Sequence, residues 1–107
     1  MDNNITQLTN NIWFTADTHF SHANIIKYCA RPFDNVEGMD RTLITNWNKV
    51  VEPKDIVYHL GDFCFRNPER YLNALNGYIY FIYGNHDKKL RKLLSEKDYN
   101  WKCQRFL

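Results

Sequence analysis

One stretch of the sequence, residues 79–87, leads an unbroken apolar run directly into a turn and three polar side chains. The run reads Ile-Tyr-Phe-Ile-Tyr, and such series of β-branched and aromatic residues are typical of a buried strand. Gly84-Asn85 is a strong turn signal, and His86 and Asp87 follow it. The stretch therefore predicts a strand that brings a carboxamide, an imidazole and a carboxylate to its carboxyl end, where open α/β sheets bind ligands.

Two earlier stretches end in the same way. Residues 12–16 run into Asp17-Thr18-His19, and residues 56–60 run into Gly61-Asp62. If the three predicted strands lie parallel and adjacent, their carboxyl ends meet at one edge of a sheet. The side chains expected to share this rim are Asp17, His19, Asp62, Asn85 and His86.

Helix signals separate the predicted strands. Ser21 is positioned to cap a short helix over 22–29, and Asp34 with Glu37 has the pattern of a capping box for a longer helix. Asn67-Pro68 is a typical helix start before the third strand, and a basic amphipathic segment follows that strand. The apolar helix faces are assigned to Met39, Leu43, Trp47 and Val50, then Leu72 and Leu75, then Leu90, Leu93 and Leu94.

The order of these elements indicates an α/β fold. Strand, helix, strand, helix, strand is a βαβαβ order, and right-handed crossovers make such a sheet parallel. Residues 99–107 alternate in character and are expected to begin a further strand, whereas residues 1–10 are expected to form a polar lead-in. We expect one domain over residues 1–107, because a chain of 107 residues with 44% hydrophobic content can build a single packed core.

The net charge indicates which kinds of partner to expect, and the cysteines indicate the cellular compartment. The formal net charge of +2 is too small to indicate nucleic acid or an acidic membrane as the partner. No apolar stretch reaches the roughly 18 residues of a membrane span, and the amino terminus lacks the regions of a signal peptide. The 3 cysteines are widely spaced without a Cys-x-x-Cys pair, which favours free thiols and a cytoplasmic location.

The residues at the predicted rim carry the chemistry of a metal site. In an extended Asp-x-His segment the carboxylate and the imidazole project to the same side and can hold one ion. Asp62 adds a carboxylate that can bridge two ions, and Asn85 adds a neutral oxygen. Such mixed ligands suit Mn, Fe, Co, Zn or Ni, and two ions roughly 3.5–4 Å apart clamp a phosphate ester for attack by activated water. His86 is then placed to protonate the leaving group or to stabilise charge on the phosphoryl oxygens, and Asp87 to fix the tautomer or orientation of His86.

The ordered set of Asp17-x-His19, Gly61-Asp62 and Gly84-Asn85-His86-Asp87, each after a strand, resembles the motifs of the calcineurin-like metallophosphoesterases. The sequence around these motifs resembles a small bacterial and phage branch of that superfamily. The resemblance implies that Asp17 and His19 hold a first ion and that Asp62 bridges to a second. It further implies that Asn85 holds the second ion and contacts substrate, and that His86 contacts the phosphate. The implied fold is a layered α/β/β/α sandwich, of which the parallel βαβαβ core is the amino-terminal part.

The histidine content departs from the family pattern. Members of the family continue past Gly-Asn-His-Asp with a further histidine and a Gly-His-x-His motif, but the 4 histidines of this chain are His19, His22, His59 and His86. The chain therefore resembles the amino-terminal half to two thirds of a full enzyme. We expect the second metal site to be weak and one face of the sheet to be apolar and exposed. Dimerisation or strand exchange could cover that face.

Several residues near the motifs have two interpretations. His22 could contact a substrate phosphate beside a helix start, or could be a helix-start histidine satisfied by the backbone. Arg31 could reach an anionic substrate, or form a surface salt bridge. His59 lies inside a predicted strand, so a buried structural histidine is expected there.

The sequence leaves more than one function open. The leading hypothesis is a metal-dependent phosphoesterase that hydrolyses phosphomono- or phosphodiesters. The alternative is a catalytically impaired remnant that retains metal and acts as a binding or interaction module, since no histidine follows His86. A nucleic-acid-binding domain is the least supported, because the net charge is low and no basic stripe is present. Nucleic acid is then expected only as a substrate.

Overall fold

The structure, a computed structural model, describes residues 11–99 and 102–106, with the backbone alone at 103–106. The expected polar lead-in over residues 1–10 lies outside this part. In chain order the elements are β1 (Ile12–Thr15), α1 (Ile25–Tyr28), α2 (Val36–Val50), β2 (Ile56–His59), α3 (Pro68–Ala74), β3 (Tyr78–Ile82), α4 (Lys88–Glu96) and β4 (Cys103–Phe106). Among the described residues, no helix combines the length and apolar character that a bilayer crossing requires.

The strands form one four-stranded parallel sheet in the order β1-β2-β3-β4. Ile12 lies opposite Ile56, and Ile56 lies opposite Tyr78, so the first three strands run in step. The parallel α/β prediction is confirmed, and so is the fourth strand expected within 99–107. Because every strand runs in the same direction, the segments that follow β1, β2 and β3 leave the sheet at the same edge.

One face of the sheet packs against the helices and forms the core. Its strand residues include Val57, His59, Ile79 and Phe81, each at most 1% exposed. The helices cover them with buried side chains of α2, α3 and α4, namely Trp47, Tyr71, Leu72 and Leu90, and Leu75 directly after α3 packs with them. Full burial of each large apolar side chain is worth about 1.5–3 kcal/mol, so this face supplies most of the driving force for folding.

In the part of the chain that the structure describes, the opposite face of the sheet is apolar, and its side chains are exposed or half-buried. We call it the aromatic face; its described members are Ile12, Phe14, Ile56, Tyr58, Tyr78, Tyr80 and Ile82. Phe14 is 68% exposed and its ring stacks on Tyr58 at 5.3 Å, while the Tyr80 ring lies 5.4 Å from Tyr58 on the other side. The expectation of an exposed apolar sheet face therefore agrees with the described part of the chain.

Two predicted helix caps are wrong. Asn35, not Asp34, begins α2, because its side-chain oxygen accepts the Gly38 N–H at 2.8 Å from an extended backbone. Ser21 does not cap α1, which starts only at Ile25. The Ser21 hydroxyl instead accepts the backbone N–H of Arg66 at 2.7 Å, so it joins two loops.

Two other helix details differ from the prediction. Val50 is 52% exposed, and Val51 takes its place in the core because α2 ends at Val50 and the chain turns inward. Asn67 precedes Pro68 as expected, but its φ of 54° is left-handed and its side chain makes no capping hydrogen bond.

Candidate metal centre

Two loops run side by side beyond the carboxyl ends of β1 and β2. The N–H groups of Asp17 and His19 donate to the carbonyls of Gly61 and Asp62, at 2.9 and 3.0 Å. One step further, the Phe20 N–H donates to the next carbonyl of the second loop at 2.9 Å. These hydrogen bonds continue the pairing of β1 with β2 past the strand ends, so the loops hold their side chains in a fixed relation.

The backbone of both loops is left-handed at the candidate ligands. Asp17, His19 and Asp62 have φ of 56°, 52° and 55°, and Ser21 has φ of 60°. The extended Asp-x-His segment predicted from strand alternation is therefore wrong, although both side chains still reach the rim. Left-handed residues other than glycine cost about 1–3 kcal/mol each and concentrate at functional sites, where the surrounding contacts enforce them.

His19 lies between the two carboxylates. Its Nε2 is 3.9 Å from Asp17 Oδ1 and 3.9 Å from Asp62 Oδ2. Ligand atoms that share one ion at about 2.0–2.2 Å each lie no more than about 4.4 Å apart, so this spacing fits a single divalent cation. Burial lowers the pKa of His19, and a neutral imidazole has the lone pair that coordination requires. The donor set of one nitrogen and two carboxylates suits borderline divalent cations.

Asp62 is held in place by the segment that follows β3. Its Oδ1 accepts the backbone N–H of His86 at 3.0 Å. Gly84 lies against it so closely that a β-carbon on this glycine would overlap the Asp62 carboxylate and backbone nitrogen. The sequence indicates Gly84 only as a turn residue, since a close approach between distant segments has no local sequence signal.

Asp87 occupies a place that the sequence does not predict. Its Oδ2 accepts the N–H groups of Asp62 and Gly84 at 2.8 and 2.7 Å, and its Oδ1 accepts those of Phe63 and Cys64 at 2.7 and 3.3 Å. The side chain is 1% exposed. Both carboxylate oxygens of Asp87 thus accept hydrogen bonds from backbone amides. The expected contact of Asp87 with the His86 ring is not among the hydrogen bonds of the described residues. Asp87 ties the loop after β2 to the turn after β3.

The remaining two residues of the Gly-Asn-His-Asp segment lie at the open side of the rim. The His86 ring is exposed, with its centroid 5.5 Å from the ring of His19 and 4.9 Å from that of His22. Asn85 is also exposed, and its carboxamide makes no hydrogen bond within the part of the chain that the structure describes. Both side chains are therefore accessible to a ligand that enters from solvent.

His22 and Arg31 lie directly behind His19. His22 is 8% exposed, its Nδ1 is 3.3 Å from Nδ1 of His19, and its ring stacks on Phe65 at 4.9 Å. Burial lowers the pKa of His22, and the neighbouring side chains of His86, His19 and Arg31 lower it further. The Arg31 guanidinium donates to the carbonyls of Asp17 and Thr18 at 2.6 and 2.9 Å, so it braces the first loop instead of forming a surface salt bridge.

A buried chain of hydrogen bonds joins the two loops on the side that faces the core. The Gly61 N–H donates to His59 Nδ1 at 3.3 Å, so the proton of the neutral ring is on Nε2. That Nε2 lies 3.0 Å from the Thr18 hydroxyl, which donates to the Phe63 carbonyl at 2.7 Å. Burial lowers the pKa of His59 to about 4, as expected for a structural histidine. Sequence reasoning misses Thr18, whose only signal is its place between two candidate ligands.

Comparison with known proteins agrees with this geometry. The sequence model of the calcineurin-like phosphoesterases matches residues 11–107. An uncharacterized protein of Methanocaldococcus jannaschii is 58% identical over 82 residues, which are 72% of this chain and 47% of that protein. The Gene 66 protein of Mycobacterium phage L5 is 35% identical over 83 residues, or 72% of this chain and 40% of that protein.

A solved structure gives the same result for the fold. The crystal structure of a protein of unknown function from Aquifex aeolicus matches with a TM-score of 0.69 at 33% identity, over 92% of this chain and 52% of that one. The chain thus spans about half the length, or less, of the relatives it matches. The family match covers nearly the whole sequence, and the three motifs stand at the strand ends in the expected order. This chain belongs to the calcineurin-like phosphoesterase family.

Proposed function

We propose that this chain is a metal-dependent phosphoesterase that hydrolyses phosphomono- or phosphodiesters. The observation that carries the proposal is the position of His19 Nε2, 3.9 Å from a carboxylate oxygen of Asp17 and 3.9 Å from one of Asp62. An imidazole and two carboxylates at this spacing, at the carboxyl ends of parallel strands, are suited to one divalent cation.

Asp17, His19 and Asp62 would hold the first cation. Asp62 with the exposed Asn85 carboxamide would hold a second more weakly, because only one of these two groups carries a charge. Manganese is our choice among Mn, Fe, Zn, Co and Ni, since two of the three groups at the first site are carboxylates. A bound divalent cation supplies Lewis acidity and lowers the pKa of a coordinated water towards neutrality.

His86 is proposed as the catalytic residue of the chain. Its backbone N–H is fixed to Asp62 Oδ1 at 3.0 Å, so its ring stays beside the metal ligands while remaining exposed to substrate. An imidazole in that place can give a proton to the leaving oxygen of a phosphate ester, or donate a hydrogen bond to a phosphoryl oxygen. Asp87 serves this chemistry as a positioning residue, through the backbone of the two loops.

The substrate phosphate is proposed to lie between His86 and Asn85, at the open side of the rim. Arg31 contributes positive charge behind the first loop, although its guanidinium already donates to the carbonyls of Asp17 and Thr18. We expect it to attract the phosphate through its field instead of by direct contact. Cys29 is an exposed free thiol, which supports a reducing compartment, and we propose a cytoplasmic location.

A colorimetric phosphodiester assay with added Mn²⁺ tests the proposal. We expect turnover that depends on Mn²⁺ and falls at least about a hundredfold in Asp62→Asn, because this change removes one ligand and its charge. Asp34→Asn is the matched control, since Asp34 is exposed and lies outside the rim. Turnover equal in Asp62→Asn and in the unchanged chain would refute the proposal.

A second candidate function is cation binding without turnover, as an interaction module. Asp62 and Asn85 are the donor groups proposed for the second cation of a phosphoesterase, and only one of them is charged, which favours this alternative over a fully active two-metal enzyme. Calorimetry separates the two: Mn²⁺ binding at one site, with no hydrolysis of mono- or diesters by a folded chain, would establish the binding module.

A further inference from the structure

We propose that His19, His22 and His86 form an additional cation site made only of imidazole nitrogens. One ring nitrogen from each of these residues lies within 4.8 Å of the other two. The group shares His19 with the Asp17, His19 and Asp62 set, but His19 presents Nε2 to the carboxylates and Nδ1 to His22. Three imidazoles with no carboxylate suit Zn²⁺, Ni²⁺ or Cu²⁺, and suit Mn²⁺ poorly.

The distance between the two buried rings fits such an ion. His19 Nδ1 and His22 Nδ1 are 3.3 Å apart. In a tetrahedral zinc site with Zn–N of about 2.05 Å, two coordinating nitrogens lie about 3.3 Å apart. The spacing of this pair therefore fits two ligands of one metal, and without an ion the two rings are at the distance of a hydrogen bond.

Both buried rings are held in place without a metal. The His22 ring stacks on Phe65 with centroids 4.9 Å apart and planes 14° apart, and its backbone N–H donates to the His19 carbonyl at 3.1 Å. His86 is exposed, so its ring can rotate about its side-chain torsions to close the site while its backbone stays fixed to Asp62. Two ligands are thus preorganised, and the third moves a short distance.

The two candidate sites compete for His19. Its Nε2 faces the carboxylates of Asp17 and Asp62, whereas its Nδ1 faces His22. A neutral imidazole has a single lone pair, so one cation at a time can use this ring. Zinc in the histidine site would therefore displace manganese from the carboxylate site. The inference shares His19 with the proposed phosphoesterase site but concerns zinc binding, which is measured without any substrate.

Zinc titration by calorimetry on the full chain tests the site. The double variant Asp17→Asn with Asp62→Asn removes both carboxylates, and we expect it to retain one zinc ion per chain. Adding His22→Asn, which keeps a polar group near the Nδ1 position, should weaken that zinc binding at least about tenfold. Cys29→Ser is the matched control, because it removes an exposed thiol that could bind zinc and should change nothing.

A double variant that binds no zinc although circular dichroism shows it folded would overturn the inference. So would a His22→Asn chain that binds zinc as tightly as its parent, because His19 Nδ1 and His22 Nδ1 would then share only a hydrogen bond. If the double variant does not fold, manganese release decides the question. Zinc should displace bound Mn²⁺ from the otherwise unchanged chain at least about tenfold more readily than from His22→Asn, and equal displacement would contradict the site.

Discussion

Gly84 lies so close to Asp62 that no side chain fits between them. A β-carbon at residue 84 would overlap the carboxylate group and the backbone nitrogen of Asp62. This contact joins the turn after β3 to the loop after β2, two segments that are 22 residues apart in the chain. The position of one candidate metal ligand therefore depends on a residue that binds nothing itself.

Gly84→Ala should reduce metal affinity by displacing Asp62. The φ of Gly84 is not in the left-handed region, so alanine is tolerated by the backbone and the effect is steric. We expect Mn²⁺ affinity, measured by calorimetry, to fall at least about tenfold, and the free energy of unfolding to fall by about 1–3 kcal/mol. Gly38→Ala in α2 is the control and should leave the affinity unchanged. Equal affinities for the two variants would contradict this account of the loop contact.

Asp87→Asn should destabilise the fold because it leaves buried amides without an acceptor. Each carboxylate oxygen accepts two backbone N–H groups, and an amide NH₂ cannot replace either oxygen. The expected loss in the free energy of unfolding is about 2–4 kcal/mol, measured by urea denaturation. Asp34→Asn, at an exposed carboxylate, should change it by less than about 0.5 kcal/mol. A stable Asp87→Asn chain would show that this clamp contributes little.

The meeting of the candidate ligands at one sheet edge was predictable, because parallel strands bring their carboxyl ends together whatever the details of packing. That is why Asp17, His19 and Asp62 could be grouped from the sequence alone. The role of Asp87 was not predictable, since its side chain turns back to amides of a loop 23–25 residues earlier. The left-handed backbone at Asp17 and His19 was also not predictable from the sequence, because it is enforced by contacts between residues that are distant in sequence.

The helix caps show how a local pattern can mislead by one residue. Asp34 and Asn35 are both good capping residues, and Glu37 favoured the first of them through the capping-box spacing. In the structure the choice is made by the extended backbone of Asn35, which aims its side chain at the Gly38 N–H. Cap geometry of this kind depends on how the preceding loop enters the helix.

His59 should make the stability of the chain depend on pH. Its pKa is lowered by burial from 6.5 to about 4, so the unfolded chain binds the proton more readily than the folded one. This stabilisation is fully present above about pH 6.5 and is lost as the pH falls towards 4, by about 3 kcal/mol in total. His59→Gln keeps a donor near Thr18 but does not titrate. Urea denaturation at several pH values should give a shallower dependence for the variant, and identical dependences would contradict the assignment.

The aromatic face should make this chain associate with itself. Phe14 is 68% exposed and stacks on Tyr58, and an exposed apolar area of this kind is typical of an interaction surface. If a second copy of the chain covers this face, Phe14→Ser shifts the sedimentation profile towards monomer at a given concentration. Tyr28→Ser is the control, because Tyr28 is 77% exposed on α1. Profiles in which the Phe14 and Tyr28 variants behave alike would argue against association through this face.

We expect Asp17, His19 and Asp62 to share one cation. Anomalous diffraction from crystals grown with Mn²⁺ tests this expectation, because the signal locates the ion independently of any assay. A manganese peak should lie within about 2.5 Å of His19 Nε2 and of a carboxylate oxygen from each aspartate. Crystals with no manganese peak at the rim, or with a peak that none of these three side chains contacts, would contradict it.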